Sequence, residues 1–221
     1  RTPDGIADAA GIFRQLAAAH PDRPEAFAKL ADCYLLQREF GTLPEPEAYA
    51  RARAAAQEAL TRDPRSSGGL RALAFVRFWH DADPKALDLF ARAAELDRRS
   101  AQTQLWYANA LSARARHKEA QAAFARARAL DPNNSAIIAD QAFDLLFAGR
   151  TDEAERLLRA VLAVQPGLSS AHRALSWVAL RRGNDRLFLA EAGEAARLRG
   201  DRATLAELAE AEAALATGGR P

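Results

Sequence analysis

The chain has 221 residues, enough for one large domain or two small ones, and carries 31 Lys and Arg against 29 Asp and Glu, a formal net charge of +2. That balance excludes a surface dominated by phosphate-seeking cations, and 49% hydrophobic with 27% charged residues excludes a disordered chain. No apolar run approaches the roughly 18 residues that a membrane-spanning helix needs, and the opening residues do not form a charged, apolar, small-residue leader. A single cysteine, Cys33, leaves no intramolecular disulfide and does not fix the redox compartment. The absence of any Met, an initiator included, is expected of part of a longer or processed polypeptide. Among the basic residues only Lys29, Lys85 and Lys118 are lysine, a bias ascribed to a GC-rich genome.

In chain order, Ala9, Phe13, Leu16 and Pro21 give the spacing of a second helix of a pair, so residues 5–23 are a leading half-unit. Phe27, Leu30, Ala31 and Tyr34 then share one helical face and open the first full unit, 24–66. From Ala31 to Ala52 there are 21 residue steps where later units have 12, so nine extra residues enter an insert within 37–49. Its Gly41, Pro44 and Pro46 predict a semi-rigid, extended loop. Units then follow at 67–100, 101–134, 135–168 and 169–200.

Their register is strict. Pro64, Arg98, Pro132, Pro166 and Gly200 stand 34 residues apart, and eight positions before each come Ala56, Phe90, Phe124, Leu158 and Ala192. Twelve positions before lie Ala52, Ala86, Ala120, Ala154 and Phe188, and five before, Ala59, Ala93, Ala127, Val161 and Ala195. A second small column, Ala74, Ala108, Ala142 and Ser176, fits a close crossing between the two helices of a pair. The last unit departs: Phe188 is large where Ala is expected and Ala192 is small where a ring is expected, as in a volume swap within one helix. Asp201 is placed to cap a final helix over 201–216, with Leu205, Leu208, Ala209 and Leu215 on one side, and the tail 217–221 is expected to fray.

A 34-residue period carrying Ala-x3-Phe-x2-Ala-x4-Pro resembles the tetratricopeptide (TPR) repeat. The resemblance implies an all-α fold, a right-handed TPR superhelix or α-α solenoid, as a single domain over 1–221. It has about five helix pairs, a leading half-unit and a C-terminal capping helix. The order Leu30-Ala-Asp-Cys-Tyr34, the Pro-rich insert, Glu47 to Leu60, Leu73-Ala-Phe-Val76, Trp106-Tyr-Ala108 and Ile137-Ile138 is further similar to the C-terminal TPR region of bacterial membrane-anchored winged-helix transcriptional regulators. The opening Arg1-Thr-Pro-Asp-Gly5 resembles the start of that region. Related arrays are fused to nucleotide cyclases and to serine/threonine kinases.

That likeness implies a sensory or partner-binding domain, held on the periplasmic face of the inner membrane by an anchor outside these residues, or alternatively cytoplasmic. In such arrays the concave surface comes from unit positions 2, 5, 9, 12 and 13 of the first helix. Here these positions supply Phe75, Phe78, Trp79, Phe143, Phe147 and Trp177, with Asp32, Arg71, Asn109, Arg173 and Arg181 among them. Rings beside guanidinium groups suit a peptide or protein segment, or a small ligand. The competing assignment of each ring is to the core, where aromatics at helical spacing usually go. The two-carboxylate clamp of chaperone-binding relatives is absent: its positions hold Ala28, Asp32, Ala72, Gln102 and Trp106.

Catalysis finds no support in the residues. His20, His80, His117 and His172 are scattered without metal-ligand spacing, Ser67-Gly-Gly69 lacks the Gly-Lys-Ser/Thr of a phosphate loop, and Cys33 lies within a helix as a buried thiol. The expectations are therefore a non-enzymatic module with no cofactor, no metal and no nucleic-acid contact of its own. The alternatives are a structural or dimerising scaffold, or the repeat region of a kinase or cyclase.

Overall fold

The computed structural model describes residues 3–216, which form twelve α-helices with no strand among them. The expected fraying of 217–221, and the first two residues of the opening segment, lie outside the described residues. The helices are α1 (Pro3–Ala19), α2 (Pro24–Glu39), α3 (Glu45–Arg62), α4 (Ser67–Trp79), α5 (Ala86–Leu96) and α6 (Ala101–Ala113). They continue as α7 (His117–Leu130), α8 (Ser135–Phe147), α9 (Thr151–Val164), α10 (Ser169–Arg181), α11 (Asp185–Arg199) and α12 (Arg202–Ala216). The chain divides into two compact units, up to Ala110 and from Leu111 onward, and the division falls inside α6.

In the first unit α1 packs on α2, α2 pairs with α3, α4 pairs with α5, and α2 also lies against α4. The interior is built largely from alanine, with Ala31, Ala52, Ala56, Ala59, Ala74 and Ala86 fully covered. Phe90 is the large side chain at the centre, wholly buried, and truncating such a ring to Ala costs about 3–5 kcal/mol. Gly68 and Gly69 lie within the first turn of α4, after an N-cap in which the Ser66 hydroxyl accepts from the Gly69 N–H at 3.2 Å. Close approach explains the first glycine: a Cβ on Gly68 would stand 2.8 Å from the Cβ of Ala28 on α2.

The insert does not form the extended loop expected at 37–49. Both flanking helices absorb the added residues, α2 running to Glu39 and α3 starting at Glu45, so the connection shrinks to residues 40–44. Pro44 is the N-cap of α3 and Pro46 lies in its first turn, where the missing N–H has no intrahelical partner to lose. Gly41 supplies the turn with φ +68°.

In the second unit α8 pairs with α9, α10 with α11, α8 contacts α10, and α7 and α12 flank them. Ala142, Leu145, Leu146, Ala154, Leu158, Ala174, Leu175 and Val178 make one buried cluster. Phe124 and Leu158 occupy the same repeat column as Phe90 and are wholly buried. The column breaks in α11. Phe188 and Ala192 are only half-buried, and Leu189, Ala195 and Ala196 are the covered side chains. The volume swap is thus not what closes this pair: α11 is backed by α12, none of whose side chains is fully covered. Asp201 caps α12 by accepting from the Thr204 N–H at 3.1 Å, and Gly200 at φ +69° ends α11.

Candidate ligand-binding faces

Each unit presents its own set of the expected residues. In the first unit several of them are spent on one another. Asp32 of α2 and Arg71 of α4 form an ion pair whose side chains are 12% and 5% exposed. The Arg71 Nη1 also donates to Thr103 Oγ1 at 2.8 Å, and its guanidinium carbon lies 5.5 Å from the Trp106 ring centroid. Arg71 is therefore not a surface cation, in contrast to its expected place on a binding face, because three neighbouring side chains consume it.

Phe78 is likewise core, edge-on to Phe90 at 6.3 Å. Phe75 is half-buried against Trp106 at 4.7 Å, Asn109 is half-buried, and Trp79 is exposed. Cys33 beside this cluster is buried. Its thiol is pushed up to about 11 by burial and by Asp32, against the opposing charge of Lys29.

The lengthened α2–α3 pair adds a corner that the repeat positions did not single out. Tyr49 stacks on His80 at 4.7 Å, and the Arg38 guanidinium lies 5.2 Å over Tyr49 and 5.7 Å from the Phe75 centroid. Burial raises the Tyr49 hydroxyl above its ordinary pKa while Arg38 opposes the shift. Arg53 donates to both carboxylate oxygens of Asp81, at 2.7 and 2.9 Å, and holds that carboxyl below its usual range. Part of the signal for this corner was the insert itself, whose Tyr49 reaches the α4–α5 connection, while Arg53 lies in the regular part of α3.

In the second unit α8 and α10, which pack on each other, carry five of the expected residues. Phe143 is half-buried and stacks on Phe147 at 6.3 Å, and Phe147 is 58% exposed. The Arg173 guanidinium lies 5.2 Å over Phe143, and Arg173, Trp177 and Arg181 are all exposed, Trp177 by 47%. Leu180, unremarked by the repeat positions, is 46% exposed beside them.

Next to Phe143, Asp144 is fully buried, accepting from Gln121 Nε2 at 2.6 Å and meeting His117 Nδ1 at 2.7 Å. This carboxylate escaped sequence reasoning because both partners sit on the preceding helix. A cleft of about 360 Å³ between α7, α8 and α9 is lined by Gln121, Arg128, Gln141, Leu145, Arg156 and other residues, none of them among those expected to bind. Among the described residues no three His, Cys, Asp or Glu side chains gather as metal ligands, and no helix is long and apolar enough to cross a membrane.

Helix pairs repeating every 34 residues, with small residues at the crossings and a ring or Leu in the middle of the second helix, have counterparts among solved structures. YrrB, described as a TPR protein with an unusual peptide-binding site, matches with TM-score 0.55 and 18% identity over 91% of this chain and 100% of that one. The fold is that of the TPR proteins. TTC0263, a thermophilic TPR protein of Thermus thermophilus, gives TM-score 0.65 at 18% identity, covering 78% of this chain and 95% of its own. PilW, a widely conserved type IV pilus biogenesis factor, gives 0.63 at 21% identity, over 86% and 92%. No family model and no curated protein matches the sequence. The likeness therefore lies in the arrangement of TPR helices, and at these identities it speaks to the fold alone.

Proposed function

We propose that this chain is a non-enzymatic TPR interaction module that takes a peptide or protein segment, or a small ligand, onto the first-helix side chains of its second unit. The observation that carries this reading is the exposure of Phe147, Trp177 and Leu180 beside Arg173 and Arg181, in a unit whose other rings are largely covered. Large apolar side chains left open next to arginine are the usual composition of a protein-recognition surface. The peptide-binding site ascribed to YrrB lends support through the shared fold. The residue resemblance to membrane-anchored winged-helix regulators extends the proposal to a sensory domain of a bacterial signalling protein, working on the periplasmic face of the inner membrane.

A phage-displayed peptide library selected on the chain tests the module. Selected peptides are expected to lose binding to Trp177→Ala and Phe147→Ala, by roughly 30-fold if Trp177 is a central anchor. Circular dichroism checks that both variants fold. Peptides that bind the double variant as tightly as the parent would remove this face from consideration. A dimerising scaffold is the second reading, favoured by Ile12 on α1, which is 62% exposed. Light scattering that shows one concentration-independent monomer mass counts against it.

A further inference from the structure

The arginines of the second unit are not treated alike. Arg182 is claimed by Asp152 and Glu155 at 2.5 and 2.7 Å, Arg150 by Glu153 at 2.7 Å, and Arg197 by Glu194 at 2.5 Å. Arg173 has only the Phe143 ring beneath it, and the Arg181 side chain has no hydrogen-bond or ion-pair partner among the described residues. Arg181 and Arg182 are chain neighbours but leave the chain in different directions, so the carboxylates that hold Arg182 do not hold Arg181.

Arg173 and Arg181 flank an exposed indole at a regular interval. Arg173, Trp177 and Arg181 are spaced by four residues along α10. Four residues of α-helix rise about 6 Å, which puts the two arginine positions about 12 Å apart with Trp177 midway. An extended peptide directs every second side chain to one face, at intervals of about 6.6 Å. Three successive same-face side chains of such a peptide therefore span about 13 Å, within about 1 Å of that rise, and the arginines' long side chains cover the further turn of about 80° between their positions around the axis.

We infer that α10 reads an extended peptide of the pattern acidic–x–apolar–x–acidic. The two carboxylates lie on Arg173 and Arg181, and the apolar side chain lies against Trp177. This rests on the peptide-binding reading above and narrows it to a ligand class. Guanidinium–carboxylate pairing supplies the recognition at both ends, and desolvation of the indole supplies it in the middle. The intervening residues face away from α10 and are unconstrained.

The probe is a fluorescein-labelled synthetic peptide, Gly-Ser-Asp-Ser-Leu-Ser-Glu-Ser-Gly, followed by anisotropy on the full chain. It is compared with an Asn/Gln version and with a version in which Leu is moved by one position. The acidic, correctly spaced peptide is expected to bind tightest, and more weakly as salt rises. Arg173→Gln and Arg181→Gln should each weaken it roughly three- to fivefold, whereas Arg186→Gln on α11, an equal loss of charge elsewhere, should leave it unchanged.

Absence of binding overturns the inference, as does equal binding of the neutral or shifted peptide. So does equal capture of a ten-residue thymidine oligonucleotide. If library-selected peptides depend on Trp177 yet show no acidic preference, the inference fails and the peptide-binding reading stands. If Trp177→Ala affects neither set, both fail.

Discussion

Replacing Asp32 and Arg71, singly and together, separates a structural role from a binding one. The two side chains are 12% and 5% exposed, and Arg71 is held further by Thr103 and the Trp106 face. Asp32→Leu removes the counter-charge from a buried guanidinium, and removing one partner of a buried pair costs about 3–5 kcal/mol. Arg71→Met strands the carboxylate instead, with a cost of the same order, about 3–5 kcal/mol. The double variant leaves two apolar side chains of similar volume and no stranded charge, so it should return to within about 1–2 kcal/mol of the parent. The expected coupling is therefore several kcal/mol, well above what independent sites show. Urea unfolding followed by tryptophan fluorescence is the assay, since Trp106 lies against Arg71. A double variant that loses the sum of the two single losses would refute the reasoning, because each side chain would then act independently of the other.

Three further outcomes follow from the packing and the titrating groups. Gly68→Ala should destabilise the first unit by about 1–3 kcal/mol in the same assay, because its Cβ meets Ala28 at 2.8 Å and neither side chain can turn aside; an unchanged midpoint would contradict it. His172 meets an acceptor at each ring nitrogen, Glu191 Oε2 at 2.6 Å and the Pro166 carbonyl at 2.8 Å. Burial works against its charge, but these bonds, with Glu191 and Glu194 nearby, hold its pKa above the ordinary value. A raised folded-state pKa contributes stability that is fully present below about pH 6.5 and is lost as pH rises through the raised value. The urea midpoint of the parent should exceed that of His172→Gln by more at acidic than at alkaline pH, and a pH-independent gap would count against the bond pattern. At about pH 8, the Cys33 shift from 9.0 to about 11 leaves roughly 100-fold less thiolate than an ordinary cysteine. Iodoacetamide should accordingly label Cys33 slowly until urea opens the unit; fast labelling of the native chain would place the thiol at the surface.

The repeat was legible because its columns are steric. Only small side chains fit at Ala74, Ala108 and Ala142, and Phe90, Phe124 and Leu158 fill the matching hollow, so their spacing shows in the sequence itself. The insert misleads for a local reason. Pro44 and Pro46 look like breakers when taken alone, yet in the first turn of a helix a proline costs nothing. For the binding faces, unit position says which way a side chain leaves its helix and not what comes to cover it. Arg71 and Phe78 are covered by residues up to 39 positions away in the chain, whereas Phe147, Trp177 and Arg181 are left open. Asp144 was hidden by the same long-range dependence, since its partners His117 and Gln121 lie 27 and 23 residues earlier.

The way the α2–α3 pair accommodates nine additional residues bears on how such chains diversify. Both helices grow in the same direction, past the turn that joins them, while their other ends keep the spacing that positions Pro64 and the units after it. Added length thus emerges at one rim and leaves the downstream phase untouched. Tyr49 shows what that extra reach acquires, since it stacks on His80 next to a connection belonging to the neighbouring hairpin. Insertions at this rim can therefore be sampled by evolution one hairpin at a time, without renegotiating the interior.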